Sequence, residues 1–405
     1  MDSQKGTKDF LPVILGANRG SYSLARAFFE KYGIKTVIVS PFVTGTFNHS
    51  KIIHQYIQKK LVDSFYFLET ITKIEKDFPN KKLLLFGSDD LYVELILQNQ
   101  SSLSSAWVVP YMEQALYNQV NDKHLFYEIC ETAGVPYPKS IVLHVQETTF
   151  DLNFPVIIKP SQSSAYQKLN FEGKKKVYIC KDQFEAQQII RKIRKNGFLD
   201  ELIVQEYIPG NDSHLGIVSI YVAKKDRELK MLSFGNVIVD DHSPTAIGNS
   251  LVVYVREELN IEKYIHKILQ ITDFYGFATF DVKFDETRQE YVFLELNARL
   301  GSSNYYVTAG GNNVAYYYVE DFLFENTLPF SSSKQELLYT ILPKKLMLSV
   351  VHSKKLKKII HQFYQTKQVY NPLTPCFEQN LIRKFYMWLS SIHYYKKLRE
   401  HPPFE

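Results

Sequence analysis

Two apolar runs, residues 278–284 and 291–299, flank a short polar loop and read as a β-hairpin. This pair constrains the fold more than any other segment, because charged groups recur on it at strand spacing. Side chains alternate faces along a strand. On the second run, Leu294, Leu296 and Ala298 take one face, and Phe293, Glu295, Asn297 and Arg299 take the other. On the first, Phe280, Val282 and Phe284 alternate with Asp281 and Lys283. Pairing brings Asp281 within one residue of register of Glu295. The sequence leaves that register open, and a slip by one residue would turn Asp281 to the opposite face. Two carboxylates so placed repel each other unless a cation lies between them. Magnesium takes hard oxygen ligands, commonly one or two carboxylates plus phosphates, and Asp281, Glu295 and the amide oxygen of Asn297 make such a set. Arg299, planar and permanently charged, would then face phosphate. The competing reading is a solvated sheet face with incidental charges.

The rest of the chain sets the frame for that hairpin. Residues 11–15, the turn Gly16-Ala17-Asn18-Arg19-Gly20-Ser21, an amphipathic stretch 22–32 closed by Gly33, and the run 36–40 spell β–loop–α–β. That is the start of a parallel sheet with crossover helices. The runs 82–86, ending in Gly87-Ser88-Asp89-Asp90, and 107–110 continue it, so residues 1–110 read as one α/β unit. Beyond residue 121 the texture changes. Helices are expected over 122–133, 181–195 and 261–275, and strands over 156–160, 202–208, 217–223 and 230–239. The lysine-rich stretch 161–176 reads as a mobile loop. A second unit therefore spans 111–330, and 331–405 reads as a basic, aromatic, mainly helical extension. The fold class is α/β, with α+β character in the second unit.

Two lysines point the same way as the hairpin. Lys159 ends the apolar strand Pro155-Val156-Ile157-Ile158-Lys159-Pro160, where a rigidly held amine can reach a phosphate as a point charge. Lys123 lies in the first turn of a helix after Asn121. Either alone is more often a surface residue. The strand Ile203-Val204-Gln205-Glu206-Tyr207-Ile208, before Pro209-Gly210, can offer backbone groups to adenine, and Asp212 can hold ribose hydroxyls.

In this order, Lys123, Phe154-Pro155-Val156-Ile157-Ile158-Lys159-Pro160, Gln205-Glu206-Tyr207-Ile208-Pro209-Gly210, Asp281 and Leu294-Glu295-Leu296-Asn297-Ala298-Arg299 resemble the ATP-grasp superfamily over about residues 10–320. The E-x-N-x-R strand with an acid on its partner is the most specific part. Within the superfamily the chain looks most like the D-aspartate ligase group of peptidoglycan cross-bridge enzymes. The supporting stretches are 170–178, 241–249 and Arg299-Leu300-Gly301-Ser302-Ser303-Asn304-Tyr305-Tyr306. The resemblance implies an ATP-grasp fold with an N-terminal parallel domain. It implies ATP phosphates on Lys123 and Lys159, adenine on the Gln205–Ile208 segment and ribose on Asp212. It further implies one or two Mg2+, with Mn2+ as an alternative, on Asp281, Glu295 and Asn297, and a transferred phosphoryl group or substrate carboxylate on Arg299. The reaction would be ATP-dependent amide formation through an acyl phosphate. D-Aspartate would be the acid, and the lysine of a UDP-linked muramoyl pentapeptide the amine. Ala298 stands where the family commonly has proline, on the face turned from the metal, and 161–165 lacks the glycines of a phosphate-covering loop.

Composition excludes several alternatives. The chain has 405 residues, 45% hydrophobic and 14% aromatic, which is a globular and not a disordered balance. No run reaches the ~18 apolar residues of a membrane span, and residues 1–10 lack a signal-peptide core. Three scattered cysteines without metal-ligand spacing fit a reduced, cytoplasmic protein. Twelve Lys/Arg against three Glu lie between Ile341 and Glu405, a balance of +9 that leaves −4 for the remainder of a chain whose net charge is +5. Such a tail suits an acidic partner or peripheral contact with the inner face of a membrane, and the bland reading is a solvated helical face. Nucleic acid is not an expected partner, since the tail shows no known module. A nicotinamide enzyme would need G-x-G-x-x-G and an acid after the second strand, where this chain has Gly16-x-x-x-Gly20 and Val39-Ser40-Pro41. A ligase for other amino acids or peptides, and a non-catalytic nucleotide-binding scaffold, remain as alternatives.

Overall fold

Short continuous apolar runs bounded by glycine or proline suit strands buried on both faces, and the first of them forms β1 (Phe10–Leu15), buried throughout. The structure is a computed structural model and describes residues 9–403 other than 162, 245 and 334. The polar residues 1–8, with Gln162 and Thr245 of the stretches named above, lie outside the described residues. With β2 (Thr36–Ser40), β3 (Ile53–Ile57), β4 (Lys82–Gly87) and β5 (Trp107–Val108), β1 makes a five-stranded parallel sheet in the order β3-β2-β1-β4-β5. The helix Arg19–Tyr32 makes the expected crossover. Asn18 caps it by accepting from the Ser21 N–H, and Gly33 ends it at φ 68°. Gly16 turns the chain into this helix at φ 89°, and a Cβ there would lie 2.1 Å from Ser88 Oγ, so the turn requires glycine.

A second, antiparallel sheet has the order β6-β9-β7-β8, from β6 (Ser140–Leu143), β7 (Val156–Pro160), β8 (Tyr178–Cys180) and β9 (Leu202–Glu206). The helix Gln183–Lys195 covers it, packing Ala186, Ile190 and Ile193 on Val156, Ile158 and Val204.

The third sheet has eight strands: β10 (Leu215–Val222), β11 (Leu229–Val239), β12 (Val252–Arg256), β13 (Gly276–Asp285), β14 (Glu290–Asn297), β15 (Ser331–Ser332), β16 (Leu337–Thr340) and β17 (Val369–Tyr370). Its main path runs β14-β13-β10-β11-β12-β16-β17, with β15 beside β11.

Several expectations need adjusting. The segment 331–405 does carry helices, at Lys344–Val350, Lys354–Gln365 and Leu381–Glu400, but it is no simple helical extension. It gives β16 to the sheet beside β12, with Leu337, Leu338 and Tyr339 fully buried. Four residues are too few for periodicity to reveal a strand. The stretch 161–176, read as a loop, contains the short helix Ser163–Gln167. The helix expected over 261–275 runs Leu259–Gln270 instead and stops before Gly276, whose φ is 91°. Among the described residues no helix is long and apolar enough to cross a membrane.

Candidate active site

The hairpin register places Asp281 directly opposite Glu295 and Thr279 opposite Asn297. A β-bulge then falls between Asp281 and Val282, which faces Phe293, so Leu294 is the extra residue. The bulge overturns the strict alternation read from the sequence. Phe293 packs edge-on to Phe280 in the core at 5.7 Å, while Leu294 joins Glu295 on the cleft side. Burial and the adjacent Glu295 push the Asp281 carboxyl up to about 7. Burial would raise Glu295 as well, but Lys123, Lys176 and Lys159 hold it low, at about 2. Asp281 is thus the member of the pair whose negative charge a further cation would favour. Among the described residues no group of three or more His, Cys, Asp or Glu surrounds it. A cation there would take two carboxylates, the Asn297 oxygen, and phosphate or water oxygens, which is a donor set that fits Mg2+.

Three lysines converge on this pair. Lys123 opens the helix Lys123–Ala133, capped by Asp122. Its Nζ lies 3.3 Å from Glu295 Oε1 and donates to the Ser161 carbonyl at 3.2 Å. Lys159 is buried on β7, donating to the Tyr127 hydroxyl at 2.9 Å and the Leu294 carbonyl at 3.3 Å. Burial depresses its pKa to about 8, against the pull of Glu295. Lys176 was missed because it sits in the stretch read as a loop. That stretch is tied down by the Lys176 N–H donating to the Pro244 carbonyl at 3.1 Å.

Tyr127 was also missed. Its hydroxyl accepts from Lys159 and from Gln205 Nε2 at 2.8 Å, and donates to the Leu294 carbonyl at 2.8 Å. Four elements meet at one oxygen, so the Gln205 side chain holds Tyr127 in place. The Glu206 carboxylate is likewise engaged, by Arg288 at 2.8 and 3.0 Å and by the Lys139 N–H at 3.1 Å. Tyr207 and Ile208 lie beyond the last paired residue of β9. Both oxygens of Asp212 have partners, the Asp240 N–H and His242 Nε2, each at 2.7 Å.

These residues line two adjoining cavities. The first, mostly apolar, is bordered by Lys159, Gln205, Glu206, Tyr207, Ile208, Asp212, Asp281 and Glu295. The second, more polar and about 560 Å³, is bordered by Asn18, Arg19, Asp281, Asn297 and Arg299. Asp281 and Lys176 belong to both walls. Lys123 borders neither and stands behind Glu295. Arg299 does not point freely at this space. It clamps Asp90 through two bonds of 2.6 and 2.8 Å, joining β14 to the helix Asp90–Gln98 of the first sheet. Asp90 belongs to the Gly87-Ser88-Asp89-Asp90 turn noted in the sequence, but only the fold brings it to Arg299.

A scan against models of known protein families gives no match. The chain is 32% identical over 371 residues to D-aspartate ligase of Enterococcus faecium (strain Aus0004), covering 88% of each chain. Its fold is similar to L-amino acid ligase from Bacillus licheniformis, with a TM-score of 0.56 at 14% identity over 78% of this chain and 74% of that one. It is also similar to the biotin carboxylase domain of Hydrogenobacter thermophilus 2-oxoglutarate carboxylase in complex with MgADP, ADP and bicarbonate. There the TM-score is 0.60 at 14% identity, over 80% and 72% of the two chains. Both structures have the ATP-grasp fold.

Proposed function

This chain belongs to the D-aspartate ligase family of ATP-grasp enzymes and is an ATP-dependent carboxylate–amine ligase, and we propose that it joins D-aspartate to the lysine amine of a UDP-linked muramoyl pentapeptide. A carboxylate oxygen of the acid attacks the γ-phosphorus of ATP, ADP leaves, and an acyl phosphate forms. The amine then attacks the acyl carbon. Inorganic phosphate and a proton depart, and the amide remains. Little covalent chemistry falls to the protein, whose share is positioning and charge neutralisation.

The observation that carries this reading is the direct opposition of Asp281 and Glu295 on a cleft lined by Lys159 and Lys176, with Lys123 behind Glu295. Lys159, aimed by Tyr127, would meet phosphate, while Lys123, expected there too, borders neither cavity and would instead hold Glu295 ionised from behind. Tyr207 and Ile208 would receive adenine through their backbone, and Asp212 the ribose. Asp281, Glu295 and Asn297 would hold Mg2+, which when bound neutralises phosphate charge and polarises the γ-phosphoryl group. Arg299, fixed by Asp90 and donating also to the Leu300 carbonyl and Asn297 Oδ1, would present its remaining Nη1 hydrogen to the phosphoryl group or carboxylate. The test is a screen of D- and L-amino acids for phosphate release, with and without the pentapeptide. Stimulation by D-aspartate plus pentapeptide is expected, and a different responding pair would replace the proposed substrates.

The helix Leu381–Glu400 supports contact with anionic lipid. It exposes a broad apolar band that includes Leu381, Ile382, Phe385, Trp388, Leu389 and Ile392, with Lys384 and Lys396 beside it. Part of its charge is structural, since Arg383 is buried and Lys397 pairs with Asp241. Co-sedimentation with phosphatidylglycerol vesicles that Trp388→Ser abolishes is expected. Absence of wild-type binding would remove the contact.

A further inference from the structure

The polar cavity beside Asp281 contains a guanidinium that the reaction steps above leave unused. Arg19, the first residue of the helix Arg19–Tyr32, stands on the same wall as Asn297 and Arg299. Its partners are neutral: the Ser302 carbonyl at 3.4 Å and the hydroxyls of Ser302 and Ser303 at 3.3 and 3.2 Å. Among the described residues no carboxylate forms an ion pair with it. Of the acids that border this cavity with it, Asp241 is engaged by Lys397 and Asp89 by Ser88 and the Tyr92 N–H, and Asp281 faces Glu295 across the hairpin. The hydroxyls fix the plane of the guanidinium without neutralising it. Ser302 is itself held by Asn249 at 2.8 Å, and Gly20 allows the 302 backbone to approach, since a Cβ there would lie 3.1 Å from Ser302 Cα. A rigid, uncompensated guanidinium beside a reacting centre is a receptor for a planar anion, and a carboxylate matches its fork.

We infer that Arg19 binds the second carboxylate of the acid substrate, the one that is not phosphorylated, and so selects a dicarboxylic amino acid. The inference rests on the ligase reading above. One carboxylate must sit near Asp281, where the phosphoryl group arrives, and the cavity extends from there to Arg19. Its volume of about 560 Å³ is that of an ordinary small-molecule site and leaves room for the incoming amine. A monocarboxylic acid would spend its only carboxylate on the reaction and leave Arg19 unpaired. The site would reject it for the reason that polar sites reject analogues lacking their partner group.

The test compares D-aspartate with its two monoamides, D-asparagine and D-isoasparagine, as substrates for wild type, Arg19→Met and Arg19→Lys, by phosphate release with the pentapeptide. One monoamide keeps the reactive carboxylate and loses the other. Wild type is expected to prefer D-aspartate over it by on the order of 10- to 100-fold in kcat/KM, the usual weight of a charged hydrogen bond. Arg19→Met should raise the KM for D-aspartate and erase that preference, with the KM for ATP unchanged. Arg19→Lys should keep part of it. The ratio is read on active molecules alone, so poor folding of a variant does not affect it. If Arg19 only props the 302–303 segment, both variants will lose rate on both acids at an unchanged ratio, and the inference falls. A wild type with no D-aspartate-dependent phosphate release overturns the proposed reaction and this inference together. A responsive wild type whose Arg19→Met variant keeps its preference overturns the inference alone.

Discussion

The hydroxyl of Tyr127 serves Lys159, Gln205 and the Leu294 carbonyl at once. Tyr127→Phe would leave two buried donors short of an acceptor. It should lower stability by about 1–3 kcal/mol and raise the KM for ATP more than it lowers kcat. A urea midpoint and ATP-dependent rates check both. Lys159 itself titrates near pH 8 because burial disfavours its charge. Phosphate binds the charged amine. The dissociation constant for ATP should therefore stay flat below that pH and rise above it, approaching about tenfold per unit. Calorimetric titration across pH 6.5–9.5, about this pKa, follows it, and a constant affinity would remove Lys159 from the phosphate site. At this scale Lys159 was legible, because a lysine closing an apolar strand before Pro160 is conspicuous. Tyr127 was not, because its partners come from three other elements and its local pattern is that of any core tyrosine.

Among elements, the β13–β14 hairpin sets the geometry of the acid pair. Alternation alone brought Asp281 and Glu295 together. It could not reveal the bulge, because Phe293 and Leu294 are both apolar and either satisfies the core. The linkage of β14 to the first sheet was likewise invisible. Arg299 and Asp90 are 16% and 15% exposed and lie 209 residues apart in sequence. Arg299 holds the Asp90 carboxyl below its usual range although burial opposes this. Removing one partner leaves the other charge buried and unpaired. Asp90→Ala should therefore destabilise by about 3–5 kcal/mol. It should also slow ligation, since Arg299 loses its fixed orientation. Thermal unfolding would report the first effect and kcat with saturating substrates the second. A variant as stable as wild type would show that the pair is not a staple between the two sheets.

At the scale of the whole molecule, three sheets meet around the two cavities. The turn and helix after the first parallel strand contribute Asn18 and Arg19, the four-stranded sheet Lys159 and the Tyr207–Ile208 segment that follows β9, and the large sheet the acid pair. The order of apolar runs and turns made the α/β class and the ATP-grasp resemblance readable, because strand length and glycine placement are local properties. The place of β16 and β17 in the large sheet was not readable, because such short strands owe their conformation to the neighbour they pair with. The two cavities share Asp281 and Lys176 in their walls. The proposed acyl phosphate requires the acid's own oxygen to bridge to phosphorus. The most direct measurement uses D-aspartate labelled with 18O in both carboxylates, together with ATP, Mg2+ and the muramoyl pentapeptide. The account predicts one labelled oxygen in inorganic phosphate for each amide formed. Amide formation with unlabelled phosphate would contradict it.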